Sequence, residues 1–573
     1  MSKNVTAPMV TATQYMTTPD VRTKKVSNPN GAVNVDGVIL VEGTITAKSA
    51  HVQGNLVVDG QVLSQQGNNP LNAAQARQVQ AYQIRNLASQ YEYQLPLATQ
   101  QNNGDENLYA NKIANFSKGL RHNNIGEVNL SDYNAFLQAV ADPTKFDLVP
   151  LQTTGKWTNP LAGVDFVLEG PDAWALAVPP APTFSSARQA AEMVEDYWMA
   201  LLRDVNFSDY SISPMSTNAC ADLNNLSDFG GPKLGGLVTP ATLFRGNLPG
   251  CLEGPYISQF FYKTCPFGAN YVEQKAQVPV PNVDFMQDYA SFLNIQNGQA
   301  PLNQITFDPQ LRYIRNGRDM AQWVHMDVLF QAYFQAALIL MHLGCPLNPG
   351  NPYRTGHSNQ IPFGSFGPPE IMASLCNGAN SVLKAQWYQK WYIHRRIRPE
   401  EFAGRVDVHK RNAATYPIHS DLLNSAVLPA IHTYNSNQSY LLPQVFPEGC
   451  PTHPSYGAGH ASVAGFCCTW LKAMFDTDNF NIPSPVQPTA DGLNLLPYVG
   501  TLNATGEINK MAANVGLGRN MAGVHWRSDD EQSFLFGEEF AIKMLRDRKL
   551  SYNVAENYSG FVLTKFDGTK ITI

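Results

Sequence analysis

The sequence predicts a mainly α-helical protein trimmed with small β elements at its two ends. Three observations predict it. Apolar residues recur at helical spacing in several long stretches, most strongly over 318–344. Short alternating runs broken by Asp-Gly, Glu-Gly and Gln-Gly turns are confined to residues 33–64 and 559–573. A Pro-, Gly- and Asn-rich stretch, 206–317, interrupts the helical parts and reads as ordered loop with short helices.

Residues 1–32 are polar, rich in Thr, Ser and Asn, and read as an extended N-terminal arm. Residues 33–66 read as a small β-repeat, two or three rungs of a solenoid or a stack of hairpins. So small a β fragment does not bury both of its ends, which leaves two expectations: an assembly element that pairs with a copy of itself, or a meander covering the main domain. Residues 67–573 form the helical domain. Helices are expected near 71–90, 186–205, 318–344, 368–377, 379–397, 419–431, 459–476, 505–516 and 526–549. A closing hairpin turns at Asp567-Gly568.

The bulk numbers restrict the function. A chain of 573 residues, 44% hydrophobic, can bury a large core. With 46 acidic against 40 basic residues the net charge is −6, which gives no basic face for nucleic acid. No apolar run reaches the length of a membrane span, and the N-terminus lacks a secretory profile, so no membrane partner is expected and a cytoplasmic location is the default. The eight cysteines are scattered without a C-x-x-C pair and read as buried thiols. Calcium is possible, but no Asp-rich loop of EF-hand type or other motif supports it.

The chemistry concentrates in three blocks: 387–399, 453–460 and 519–529. The first carries Trp387, Lys390, Arg398 and Pro399; two cations eight apart suggest one helix face, with Pro399 ending the helix. Taken alone it is an ordinary basic face, since His394, Arg395 and Arg396 lie in it too. The second, His453-Pro-Ser-Tyr-Gly-Ala-Gly459-His460, puts a glycine-rich turn before a helix, where backbone N–H groups and the helix dipole favour an anion. The third places Arg519, His525 and Asp529 so that a carboxylate can fix the imidazole tautomer. Arginine forks and a lysine suit a tetrahedral oxyanion, and histidine can ligate, attack or move a proton.

In order and spacing the blocks resemble the Lys-x(n)-Arg-Pro, Pro-Ser-Gly-His and Arg-x5-His-x3-Asp pattern of the vanadium-dependent haloperoxidases and the acid phosphatases that share their helical-bundle fold. Seven residues separate Lys390 from Arg398, one more than in the phosphatase pattern, and His453 stands seven before His460; both features look like the algal bromoperoxidase branch. The resemblance implies a vanadate held by Lys390, Arg398, Gly459, His460 and Arg519, with His525 as its link to the metal. It implies catalytic parts for His460, Lys390, His453 and Asp529, and a halide pocket at Trp387 and His453. Hydrogen peroxide would be activated with proton help from His460 and polarised by Lys390. Bromide or iodide would be oxidised to a hypohalous-acid equivalent that halogenates a small organic acceptor. Relatives form dimers or larger rings, so a homo-oligomer is implied.

Gly457-Ala458 replaces the family's Pro-Ser. Losing one serine hydrogen bond to a charged oxyanion costs about 1.5–3 kcal/mol; Ser455 is a candidate substitute. Two other readings compete: an acid phosphatase with His525 as nucleophile, and a self-assembling structural protein with a vestigial pocket.

Overall fold

The computed structural model describes residues 74–152 and 155–573 in full, and, of the preceding segment, the backbone of residue 73 and the strand backbones 5–7, 10–11, 20–36, 38–53, 56–58 and 61–63. The chain divides into two compact units, Met1–Pro96 and Leu97–Ile573.

In the first unit the strands pair in parallel. Val5 stands opposite Val21, Val21 opposite Ile39 and Ile39 opposite Leu56, so the chain returns on itself every 16 to 18 residues. Leu56–Val58 then turns back on Gln61–Leu63 in an antiparallel pair. Much of the expected 1–32 arm lies outside the described residues. The helix Ala73–Tyr93 belongs to this unit.

The second unit is helical. Its axis is the helix Gly459–Met474, buried along nearly its whole length. Three long helices, Pro368–Tyr388, Ala504–Met521 and Arg527–Ser551, pack around it. Two glycines explain how closely Arg527–Ser551 approaches. A Cβ at Gly465 would lie 2.2 Å from the Phe534 carbonyl, and one at Gly537 would lie 2.1 Å from the Ser462 carbonyl. Phe466, Trp470, Phe534 and Phe540 fill the seam; each such ring contributes about 1.5–3 kcal/mol by leaving water. The closing hairpin forms as expected, Val562–Thr564 against Lys570–Thr572.

Several expectations are corrected. Residues 368–388 make one helix, and Gly378, where two were expected to meet, makes room for the Phe466 ring. The 379–397 helix ends early: Gln389–His394 is a π-helical turn, Arg395 takes a left-handed conformation (φ 44°), and Arg398 is extended. Lys390 and Arg398 therefore do not share a helix face. Pro399 starts a new helix, Pro399–Lys410, instead of ending one, because its fixed φ and missing N–H suit a first helical position. The 318–344 helix breaks at 327–330 into Gly317–Met326 and Gln331–His342, bent by 98°. Asp327 there is extended (ψ 146°) with its carboxylate turned to a histidine. Leu130–Ala141 is a further helix, capped by Asn129, that the periodicity did not reveal. All eight cysteines are free thiols, seven of them buried.

Candidate functional site

Six chain segments deliver their ends to one end of the helical unit. Gly459 and His460 open the central helix, and Ala458 caps it without a side-chain hydrogen bond. Arg519 sits in the last turn of Ala504–Met521, a helix longer than the sequence suggested. Lys390 lies in the π turn, and Arg398 caps the helix that follows. Asp327 follows the end of Gly317–Met326.

His525 lies just before the helix Arg527–Ser551, not on it. Asp529, in that helix's first turn, reaches back instead: its Oδ2 accepts from Trp526 N at 3.1 Å and from His525 Nδ1 at 2.8 Å. Ser455 Oγ donates to the same Oδ2, and Arg396 holds Oδ1 at 2.8 Å. With Nδ1 committed to Asp529, the Nε2 lone pair of His525 is free, and it has no hydrogen bond among the described residues. Burial, then the charges of Arg398, Lys390 and Arg519, keep this imidazole well below its ordinary pKa and so neutral.

The three cations are buried: Lys390 and Arg398 at 0% exposure and Arg519 at 4%. Among the described residues none of the three has a carboxylate partner. Lys390 Nζ donates to the carbonyls of Pro454 (2.9 Å) and Ser455 (2.8 Å). Arg398 donates to the carbonyls of His453 (2.9 Å) and Val524 (2.6 Å). Arg519 makes one long contact to Val324 O (3.4 Å), and its buried Nε has no partner among the described residues. Desolvation and then the neighbouring Arg398 lower both Lys390 and Arg519, the latter to about 10. A buried cluster of like charge without a counter-ion is costly, and a bound anion relieves that cost.

His453 is held at the cluster's edge. Arg398 donates to its Nδ1 at 2.8 Å, so the neutral ring carries its proton on Nε2. Desolvation and then Lys390 and Arg398 hold it well below its ordinary pKa. Its ring centroid is 4.8 Å from that of Trp387, which also lies 5.6 Å from Lys390 Nζ and donates to Thr158 O. A Cβ on Gly459 would come within 2.9 Å of the Trp387 ring, so only glycine brings this helix start so close. Trp387 also packs with Trp157 and Trp391 in a small aromatic core, so packing and wall are one role. His460 Nε2 meets Asp327 Oδ1 at 3.0 Å, and its side chain is 27% exposed.

The structure thus brings together Trp387, Lys390, Arg398, His453, Gly459, His460, Arg519, His525 and Asp529. Sequence reasoning missed Arg396 and Asp327 as participants and gave Ser455 a different partner. Arg396 looked like part of a solvated basic face, yet it is buried against Asp529 and Glu192. Ser455, considered as a substitute hydroxyl for the anion, is turned to Asp529. Asp327 was hidden in what read as a continuous helix; a carboxylate set among the apolar residues 326–330 was the available signal.

Comparison with known proteins finds relatives over most of the chain. Residues 371–552 match the family model described as the VCPO second helical-bundle domain. The chain is 35% identical to a vanadium-dependent bromoperoxidase of Corallina pilulifera over 88% of its own length and 100% of that protein's. It is 36% identical to one of Corallina officinalis, covering 82% of this chain and 94% of that protein. Its fold superposes with a TM-score of 0.83 on the homohexameric second vanadate-dependent bromoperoxidase of Ascophyllum nodosum, at 29% identity, over 87% of this chain and 90% of that one.

Proposed function

The chain belongs to the vanadium-dependent bromoperoxidase family, and on that premise we propose a role for each residue of the cage. The protein is an enzyme that oxidises bromide with hydrogen peroxide to a hypobromous-acid equivalent, which halogenates organic acceptors. The residues present fit one vanadate per subunit: three unpaired buried cations, an orphaned guanidinium Nε and a free imidazole lone pair all suit a single oxyanion. His525 Nε2 would be its one covalent attachment, and Lys390, Arg398, Arg519 and the Gly459 N–H would neutralise its oxygens. When bound, vanadate supplies a Lewis-acid centre that activates peroxide without itself changing oxidation state.

The chain's own groups do the rest. Asp529, locked by Arg396 and Ser455, fixes the His525 tautomer and raises the donor strength of Nε2. His460 would take and return the peroxide proton at Nδ1, since Asp327 engages its Nε2 and fixes the ring. Lys390 adds positive charge where peroxide is polarised. His453, proton on Nε2, and the edge of Trp387 form the halide seat, which also admits iodide. Among the described residues no group of three or more His, Cys, Asp or Glu gathers to hold a metal ion, and no calcium site is proposed. By extension from the homohexameric relative, copies of this chain assemble, with residues 33–66 as one assembly element.

The observation that carries this reading is the set of three buried, carboxylate-free cations around one free imidazole nitrogen. The test is dialysis with vanadate followed by a dye-bromination assay. Bromide- and peroxide-dependent bromination that appears only after vanadate loading supports it. p-Nitrophenyl phosphate turnover without bromination would favour the phosphatase, and silence in both assays the vestigial pocket.

A further inference from the structure

Resting on the bromide-oxidising reading above, we propose that Met326 is a site of self-modification, where hypobromous acid leaving the cage oxidises the thioether to the sulfoxide. The cage opens beside His460: its other polar side chains, Lys390, Arg398, His453, Arg519 and His525, are all at 8% exposure or less, whereas the His460 side chain is 27% exposed. The rim at that point is the end of the helix Gly317–Met326. Val324 O receives the Arg519 guanidinium, and Asp327 Oδ1 receives His460 Nε2. Met326 stands between these two anchors, its Cα about 3.8 Å from that of Asp327, and is 69% exposed while the Asp327 side chain is 7% exposed.

Its neighbours do not compete for the oxidant. His325 is stacked on Phe446 at 3.7 Å and engaged by Glu448, and Val328, 57% exposed, is an inert hydrocarbon. Met215, at 39%, is the other exposed methionine among the described residues, and its helix, Pro214–Asn224, contributes nothing to the cage. A thioether is a soft nucleophile that oxidises readily. Sulfur attacks bromine as the Br–O bond breaks and hydroxide leaves; water then forms the S–O bond as the S–Br bond breaks, so that thioether and hypobromous acid give sulfoxide, bromide and one net proton to solvent. Bromide is thereby returned to the enzyme, and a flexible apolar side chain at the mouth becomes polar.

The test uses the full chain loaded with vanadate and turned over with bromide, limiting peroxide and a dye, followed by peptide mass spectrometry. A parallel sample without vanadate receives the same total oxidant as reagent hypobromite. The expected result is a severalfold larger ratio of Met326 to Met215 sulfoxide during turnover than in the reagent sample, with no sulfoxide when bromide is omitted. Equal ratios in the two samples, or a brominated dye with Met326 intact, would overturn the proposal while leaving the enzymatic reading in place. A dye that stays unbrominated overturns the reading and the proposal together. Met326→Leu is expected to brominate the dye at the parent rate and to yield no oxidised 326 peptide; a markedly slower variant would place Met326 in the cage itself and also overturn the proposal.

Discussion

Buried cations lie in two neighbouring sets that the fold treats in opposite ways. Arg395, Arg396 and Arg527 each close on carboxylates: Glu106 for the first, Glu192 and Asp529 for the second, Glu195 for the third. Burial alone would weaken the Arg396 guanidinium, but Asp529 and Glu192 outweigh it and raise its pKa. Lys390, Arg398 and Arg519, within a few residues of that first set in sequence or at the same end of the bundle, close on carbonyl oxygens and, for Arg398, on the His453 ring as well, and all three are lowered, first by burial. The comparison teaches that carboxylates are available nearby and are withheld from the cage. Neutralisation is left to an external anion, which is how a mildly acidic protein keeps a strongly cationic pocket.

The comparison can be broken most sharply at its centre. His525→Ala is expected to abolish both bromination and vanadate retention; retention measured by equilibrium dialysis at the parent level would remove the covalent link. Next is a matched pair. Arg396→Gln leaves Asp529 buried without its arginine and Glu192 with only the longer Arg188 contact, and a loss of about 3–5 kcal/mol in urea unfolding is expected. Arg398→Gln removes a cation that has no carboxylate, so it should leave stability unchanged or improved while vanadate binding collapses. Equal destabilisation by the two would erase the distinction. Asp327→Asn should lower the bromination rate about 10–100-fold and shift its pH profile, with vanadate affinity nearly intact.

The paired layer also excludes extra protons. His122 and His394 are each lowered to about 3, first by burial, then by Arg405 for the one and by Arg395 and Arg396 for the other. The unfolded chain binds their protons first, so their contribution is complete above about pH 6.5 and is lost as pH falls toward 3, by about 1.4 kcal/mol per histidine per pH unit. Urea midpoints that stay level from pH 7 to pH 5 would contradict their neutral burial. The smallest expected effect is that of Ala458→Ser, about tenfold tighter vanadate binding from one added hydrogen bond. A raised melting temperature with unchanged affinity would mean that the hydroxyl caps the Gly459–Met474 helix instead.

Much of the cage was legible in the sequence because charge and imidazole are rare in buried helices, and their spacing survives as text. His525 and Asp529 are an example: four apart they meet, although through a reach back over a helix start and not along a helix face. What the sequence hid was irregular backbone. Periodicity carries 318–344 and 379–397 through as unbroken helices, because no proline or glycine marks the breaks at 327–330 and 389–398. Those breaks are stabilised by contacts from distant segments, Asp327 with His460 and Arg395 with Glu106, which no local window contains. Arg396 was misjudged for the same reason, since its partners come from the helices Ala187–Leu202 and Arg527–Ser551.

The wide turn at Gln389–His394 gives the extra residue between Lys390 and Arg398 a physical home. A π turn is an α-helix that has absorbed one insertion, so the longer spacing lengthens no loop and leaves the flanking helices in place. Removing one residue there would tighten the turn and rotate the ammonium by about 100° around the helix axis, away from the Ser455 carbonyl. In this chain the spacing and the turn are therefore one feature: the wide turn is what keeps Lys390 on the Ser455 carbonyl.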